Sequence, residues 1–387
     1  MVQGNTTAAA FNPSTASKLF VRAPNQFMRH SANLDLLRSV AVSVVLLDHL
    51  MLTLLRPSPL NEPALKFAAA LGQAGVLAFF VHTSLVLMYS IQRLTRTGGQ
   101  VTLRFYVRRF FRIYPLSVFC IALALIFHLP PSPREVRMIV PLPVIFSNLL
   151  LMQNFFGKGD IIGALWSLPY EVQMYLVLPV LYVLAAKRQV GRLGGVFILS
   201  CLCSSLYHLK LVAHIGNAEY VPCFLCGVLC FSLRDHIRAR VSPVFWLPFI
   251  CLLISGYCIA GGSMGDGNFW VGWVFCLVLG LAVNFFHDSS QTHVNFAAQK
   301  IALYSYGMYL IHLPVLFLVF IVFGMKNWIL GSLVFVLVTT LASATTYHFI
   351  ESPFIELGRR LSSHGSIRAA AATPLQPYSD GDKTVIP

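Results

Sequence analysis

Leu34-Asp35-Leu36-Leu37-Arg38-Ser39-Val40-Ala41-Val42-Ser43-Val44-Val45-Leu46-Leu47-Asp48-His49 is almost purely apolar, yet it carries Arg38 near one end and an Asp48-His49 pair near the other. Ionisable groups inside a membrane-length apolar run are expensive to keep there, so they mark a functional site by default. From Arg38 to His49 is about three helical turns, or roughly 16 Å of rise. At about 100° per residue the two side chains differ by only about 20° around the helix and share one face. A helix with a cation low on a face and an imidazole high on the same face can hold both ends of a long anionic ligand. The plainer reading is that Arg38 snorkels to the interface and His49 hydrogen-bonds inside the bundle. Asp48 points about 100° away from its neighbour, so a carboxylate from another helix is the better candidate to orient His49.

The rest of the chain agrees with a membrane setting. Of its 387 residues, 57% are hydrophobic and only 11% charged, against about 25% charged in a soluble globular chain. No polar stretch exceeds about 40 residues, which leaves no room for a large soluble domain. The net charge of +14 comes from short basic clusters between apolar runs. That is the positive-inside pattern, and no nucleic-acid motif accompanies it. The nine cysteines lie mostly inside apolar segments and behave as small hydrophobes. Cys223, Cys226 and Cys230 would line one helix face, but no second cluster or nearby histidine completes a metal site, so none is expected.

Eleven apolar segments can be drawn, at roughly 34–55, 67–91, 110–128, 138–155, 165–186, 194–212, 218–233, 244–261, 269–287, 302–323 and 328–350. Each is near the roughly 20 residues of a spanning helix. Basic clusters before the first span and after the second, fifth, seventh and last should be cytoplasmic. The connection 129–137 should lie outside and 187–192 inside, which requires an odd number of crossings between them. Two apolar segments occupy that interval. One of them, 138–155 with Pro141 and Pro143 near its start, is therefore expected to be re-entrant or interfacial. The expected fold is an all-α integral membrane bundle of about ten transmembrane helices. A disordered cytoplasmic tail at 1–33 should precede the transmembrane domain at 34–355, and a second such tail should follow at 356–387. The N-terminal stretch lacks the apolar core of a cleavable signal peptide.

Four further stretches carry candidate chemistry. Arg104-Phe105-Tyr106-Val107-Arg108-Arg109-Phe110-Phe111-Arg112 places Arg109 and Arg112 on one helix face at the cytoplasmic interface. Guanidinium forks suit phosphate oxygens, although anchoring to anionic lipid is the simpler use. Trp166-Ser167-Leu168-Pro169-Tyr170-Glu171 puts Glu171 at the start of an apolar helix. There it would sit near the outer face at a depth comparable to His49. Ser305-Tyr306-Gly307-Met308-Tyr309-Leu310-Ile311-His312 sets His312 near mid-span, two residues before Pro314. A satisfied bundle residue is the simplest reading of His312 and of His82. His348-Phe349-Ile350-Glu351-Ser352-Pro353 ends the last span, where Glu351 reads most simply as a helix-terminal carboxylate paired to a basic loop.

Taken together, these segments resemble the membrane acyltransferase family 3, polytopic O-acyltransferases that modify sugars on exported molecules. The family's arginine, ten residues, histidine opening is similar to Arg38 through His49. Its Arg-x-x-Arg element resembles Arg109 to Arg112, its Trp-Ser-Leu-x-x-Glu element Trp166 to Glu171, its Ser-Tyr-x-x-Tyr-x-x-His element Ser305 to His312, and its closing Glu-x-Pro Glu351 to Pro353. The five elements stand in the family's order. Where the family usually shows Ser-Gly, this chain has Thr83-Ser84, so backbone packing there should differ.

The resemblance implies an acyl-CoA co-substrate, most often acetyl-CoA, with no permanently bound cofactor. Arg109, Arg112 and Arg38 would bind the donor, and His49 would act as general base or acyl relay. Glu171 would orient His49 or contact the acceptor, and Trp166, Tyr309 and His312 would bind substrate. The implied partners are acyl-CoA, a sugar or glycan acceptor and membrane lipid. The implied location is a bacterial inner membrane with both termini cytoplasmic. A transporter or flippase whose buried charges line a substrate path is the competing class. Transporters often show internal repeats, and none is visible here.

Overall fold

The computed structural model describes residues 31–55, 58–133, 135, 139–209, 219–237, 239–262, 269–290 and 292–371. The chain is all-α. The helices are α1 (Ala32–Leu54), α2 (Glu62–Arg96), α3 (Val101–Ile126), α4 (Leu142–Leu149), α5 (Leu168–Ala186), α6 (Val190–His208), α7 (Val221–Leu233), α8 (Trp246–Ile259), α9 (Phe269–Val283), α10 (Thr292–Leu316), α11 (Trp328–Thr346) and α12 (Ser352–Ala371). Among the described residues there is no strand, only an isolated bridge between Val241 and Phe286.

Seven helical stretches are long and apolar enough to cross a membrane: Ala32–Leu54, Glu62–Arg96, Val101–Ile126, Gly163–Ala186, Val190–Tyr207, His293–Val322 and Trp328–Ser363. Three shorter apolar helices, Val221–Leu233, Pro243–Ile259 and Phe269–Val283, fall where the sequence leads one to expect the remaining three of about ten spans. Their outer faces carry large apolar side chains into the surroundings. On α11, Leu330, Leu333, Val336, Leu337 and Leu341 are all more than half exposed. Such a stripe is stable only against lipid or another apolar surface. Within 138–155, the described residues form only the eight-residue α4, about 12 Å long and too short to cross.

The long helix α2 is the centre of the bundle, and small residues let its neighbours approach. A Cβ on Gly75 would lie 2.6 Å from the Ala41 carbonyl of α1, and one on Gly72 would lie 1.9 Å from Asp48 Oδ2. A Cβ on Gly227 of α7 would meet Ser84 Oγ at 2.0 Å and the Val81 carbonyl at 2.3 Å. The close approach missing from the Thr83-Ser84 pair is therefore supplied from the opposite helix. Ser84 turns its hydroxyl back onto the carbonyls of Phe80 and Val81, at 2.9 and 3.1 Å. The start of α1 is pinned by side-chain bonds. Asn33 donates to Asp288 Oδ1 at 3.0 Å and to the His287 carbonyl at 2.9 Å, and Trp246 Nε1 donates to the Asn33 carbonyl at 3.0 Å.

Two π-helical turns mark the end of the bundle sequence. Phe317–Val322 follows Pro314 of α10, where the proline removes a backbone donor, and Tyr347–Glu351 joins α11 to α12. The disordered tail expected from 356 does not hold as far as Ala371, because α12 continues through that stretch. It docks on α3: Phe354 stacks on Phe111 with ring centroids 6.4 Å apart, and Arg108 Nε donates to Ser362 Oγ at 2.9 Å. The rest of that tail, 372–387, and the N-terminal tail as far as residue 30 lie outside the described residues.

Gly227→Ala should destabilise the bundle by about 1–3 kcal/mol through overpacking. Gly194→Ala in α6, where an added Cβ meets nothing within 4 Å, should be neutral or stabilising by up to about 1 kcal/mol. Thermal unfolding of both variants in detergent checks the contrast.

Candidate active site

A cavity of about 760 Å³, counting its open mouth, lies among α1, α2, α3, α5 and α10. Arg38, Arg109, Arg112, Glu171, Tyr175 and Tyr309 are among its walls. Arg109 and Arg112 stand 8 and 11 residues after Val101, which places them roughly 12 and 16 Å along α3. Both line the cavity. Their cluster also divides by task. Arg104 is spent on structure, with Nη2 donating to the Leu94 carbonyl at 3.0 Å and to Thr97 Oγ1 at 2.5 Å.

Charges this deep need partners. Arg112 Nη1 lies 3.0 Å from Glu351 Oε2, with side chains 21% and 0% exposed. Glu351, expected to pair with a basic loop at the helix end, is instead turned inward by the π-helical turn that contains it. Arg38 Nε donates to Ser305 Oγ at 2.6 Å. Glu171 accepts a short hydrogen bond from the Tyr175 hydroxyl and lies within electrostatic reach of Arg38, Arg109 and Arg112. Among the described residues Arg109 Nε is buried with no hydrogen-bond partner, a donor open to a ligand oxygen.

The motif on α10 ties these parts together. Ser305 receives Arg38 of α1. The Tyr306 hydroxyl meets Ser117 Oγ of α3 at 2.7 Å and donates to the Ile113 carbonyl at 2.8 Å. The Tyr309 hydroxyl meets Ser167 Oγ at 2.7 Å, just before α5. The rings of His312 and His49 pack edge to face with centroids 4.9 Å apart. Tyr309, on the cavity wall, is the link, its ring centroid 6.0 Å from that of His312.

Both histidines have a defined tautomer. His49 Nδ1 lies 3.1 Å from Asp48 Oδ2 and 3.0 Å from the Val45 carbonyl. Both are acceptors, so Nδ1 carries a proton, and in the neutral ring the lone pair is on Nε2. His312 Nδ1 faces the Tyr309 carbonyl at 2.7 Å, and among the described residues its buried Nε2 has no hydrogen-bond partner.

Two expectations therefore change. Asp48, set aside on its helical angle, does contact His49, because its side chain folds back toward the ring over the space left by Gly72. Glu171, expected to orient His49 from matching depth, sits lower. Ser167 is level with Tyr309, Tyr309 is three residues below His312, and Glu171 is four residues beyond Ser167. At 1.5 Å per residue that is roughly 10 Å toward the Arg38 end. Trp166, expected to bind substrate, packs with Tyr170 and Tyr220 at centroid distances of 6.1 and 5.6 Å and is not on the cavity wall.

The loop between α4 and the 3-10 turn Gly163–Ser167 closes over this end of α5. Asn148 and Gln153, both buried, stitch it: Asn148 Oδ1 accepts from the Ile161 amide at 3.0 Å, and Gln153 Nε2 donates to Asp160 Oδ1 at 2.9 Å. Burial pushes the Asp160 carboxyl up to about 6, although the Gln153 amide partly opposes that. Sequence reasoning passed over this carboxylate because no apolar run frames it. Among the described residues no three His, Cys, Asp or Glu side chains group as metal ligands.

Residues 31–348 match the family described as Acyltransferase domain. The chain belongs to this family. Its membership makes it a membrane O-acyltransferase and decides against the transporter reading. Over 374 residues it is 25% identical to Nodulation protein 10 of Rhizobium leguminosarum bv. viciae, covering 86% of this chain and 97% of that one. Over 375 residues it is 25% identical to O-acetyltransferase OatA of Staphylococcus aureus (strain NCTC 8325 / PS 47), covering 85% of this chain and 58% of that protein. Acyltransferase MdmB of Streptomyces mycarofaciens is 35% identical over 140 residues, which is 34% of this chain and 33% of that protein. No solved structure matches the chain.

Glu351→Gln strands the Arg112 guanidinium and should cost about 3 kcal/mol, much of it recovered in Glu351→Gln/Arg112→Gln; thermal unfolding of the four members of the cycle measures this. Because the folded Asp160 carboxyl holds its proton more tightly than an unfolded one, its favourable contribution is complete below about pH 4. It is lost as pH rises through about 6. Asp160→Asn should therefore raise stability at pH 7 and above by up to about 3 kcal/mol and flatten that part of the stability–pH curve.

Proposed function

We propose that the protein transfers an acyl group, most simply acetyl, from acyl-CoA to a hydroxyl of a sugar or glycan. The observation that carries this is the row that runs from Arg109 and Arg112 on the cavity wall, through Tyr309 on the same wall, to the rings of His312 and His49 packed beyond it. It joins an anion-binding end to a base with a free lone pair. An acyl-CoA has the matching form, with phosphates at one end and a thioester at the other. Arg38, Arg109 and Arg112 would hold donor phosphate oxygens, with Glu171 and Glu351 keeping the guanidiniums in place. Glu171 thus becomes a positioning residue and leaves the list of candidate catalysts.

At the other end, His49 Nε2 takes the proton of the acceptor hydroxyl as its oxygen attacks the thioester carbonyl. The new C–O bond forms as the C–S bond breaks, and the thiolate leaves with the proton that His49 held. Asp48 stabilises the transient imidazolium, the role a carboxylate plays beside a catalytic histidine. Tyr309 and His312 shape the wall at which the acyl group and acceptor meet. The basic clusters favour a topology with both termini and the arginine end in the cytoplasm, which supplies acyl-CoA, and the His49 end toward the outer face. A bacterial inner membrane fits this arrangement. The glycan acceptor follows the family resemblance, and the acetyl group follows the relative named as an O-acetyltransferase.

Membranes carrying the wild-type chain should transfer label from acetyl-CoA to a glycan fraction. His49→Ala should lower that rate by about 10²–10⁴-fold while the protein still unfolds cooperatively at the wild-type temperature. Asp48→Asn should lie between the two. Full transfer by folded His49→Ala membranes would remove His49 as the base.

A further inference from the structure

We propose that Arg93, Arg108, Arg359 and Arg360 form a rim that binds the 3′-phosphoadenosine end of the acyl-CoA donor, outside the cavity that holds the rest of it. The proposal rests on acyl-CoA being the donor. Its observation is the placement of α12. Gly358 lets this helix lie directly on α3, because a Cβ there would fall 2.7 Å from that of Phe111. The Phe111–Phe354 stack and the Arg108–Ser362 hydrogen bond fix the helix in register. That register brings Arg359 to Arg108, and the last turn of α2 adds Arg93; both lie close enough to repel Arg108 electrostatically, as does Arg104.

Among the described residues, the carboxylate seen on this rim is that of Glu356. Glu356 bridges Arg359 and Arg360 at 2.7 and 2.8 Å, and it is one carboxylate beside several guanidiniums. Arg359 and Arg360 keep side chains 66% and 70% exposed. A stable arrangement of this kind calls for a polyvalent anion, and exposed guanidinium forks suit phosphate oxygens.

The rim also leads inward. Arg104, Arg108 and Arg112 stand four residues apart on α3, each about 6 Å further along the axis and about 40° further round. Arg112 lines the cavity beside Arg109. A ligand whose terminal phosphate rests on Arg108 and Arg359 can thus pass its diphosphate to Arg109 and Arg112. Its thiol arm would then continue toward Tyr309.

The test uses the full chain in nanodiscs of phosphatidylcholine alone, with adenosine 3′,5′-bisphosphate and coenzyme A as probes. The wild type should bind both. Arg359→Gln, at an exposed position with little bearing on folding, should weaken the bisphosphate several-fold, and Arg108→Gln/Arg359→Gln at least tenfold. Arg192→Gln on α6 should change nothing. Equal affinity of wild type and double variant for the bisphosphate would overturn the proposal. So would a wild type that ignores the nucleotide in neutral discs but binds phosphatidylglycerol vesicles through these arginines, which would make the rim a lipid-headgroup site. A wild type that binds the bisphosphate at the rim, yet transfers no label from acetyl-CoA, supports the rim and overturns the donor reading instead.

Discussion

A guanidinium placed well inside a membrane bundle must be given a counter-charge, and the Arg112–Glu351 contact meets that demand at the junction of three elements. Glu351 lies at the end of a π-helical turn, where the widened spiral re-aims a side chain that would otherwise continue along the helix. Turned inward, it holds α3 against the joint between α11 and α12. With α3 fixed there, Arg109 and Arg112 face a cavity and not lipid. With the joint fixed, α12 is delivered onto the start of α3. This ion pair thus works beside the Phe354–Phe111 stack and the Arg108–Ser362 hydrogen bond in seating α12 on α3.

The second organising element is one face of α10. Ser305, Tyr309 and His312 are spaced by four and three residues, so they lie on a common face, with Tyr306 at its edge. Each residue engages a different partner: Arg38, Ser117, Ser167 and His49. These bonds bring α1, α3 and the start of α5 to fixed heights on α10. The sequence pattern of this segment is therefore architectural and chemical together. Hydroxyls satisfy neighbouring polar groups where water is scarce, and the last member of the row is an imidazole with a free nitrogen.

Much of this was legible in the chain before any coordinates. Apolar length and basic punctuation indicate the ten apolar helices, and the parity of charges around 129–192 singles out a segment that does not cross. Of the residues that the motif elements name, Arg38, Arg109 and Arg112 share one cavity wall, and His49 and His312 pack against each other. What escaped was relative height and side-chain direction. Glu171 reads as an interfacial residue because it opens an apolar helix, but the 3-10 turn and the loop above it sink that helix start into the bundle. Asp48 reads as misdirected on an ideal helix, but a glycine on the facing helix makes room for its carboxylate to fold back. The helix at 352–371 is invisible as a span because its composition is polar; its order comes from Phe354, Gly358 and Ser362 docking on α3. Each miss arises where a residue's environment is set by another element far away in sequence.

The separation of the two ends then constrains the chemistry. Arg38 and His49 are roughly 16 Å apart along α1, too far for one small group to touch both. A site built this way suits a substrate that is itself long, with a charged terminus to grip and a reactive terminus to present. Binding energy gathered at the arginines can then serve to hold the reactive end beside the base, as remote contacts do in other enzymes. It also keeps the cations away from the histidine. In the proposed reaction a guanidinium next to His49 would oppose the transient imidazolium, whereas Asp48, 3.1 Å from its Nδ1, would favour it. On the proposed reaction, the sequence distance between arginine and histidine would be a functional quantity, matched to the length of an acyl-CoA donor and to the need to keep positive charge away from the base.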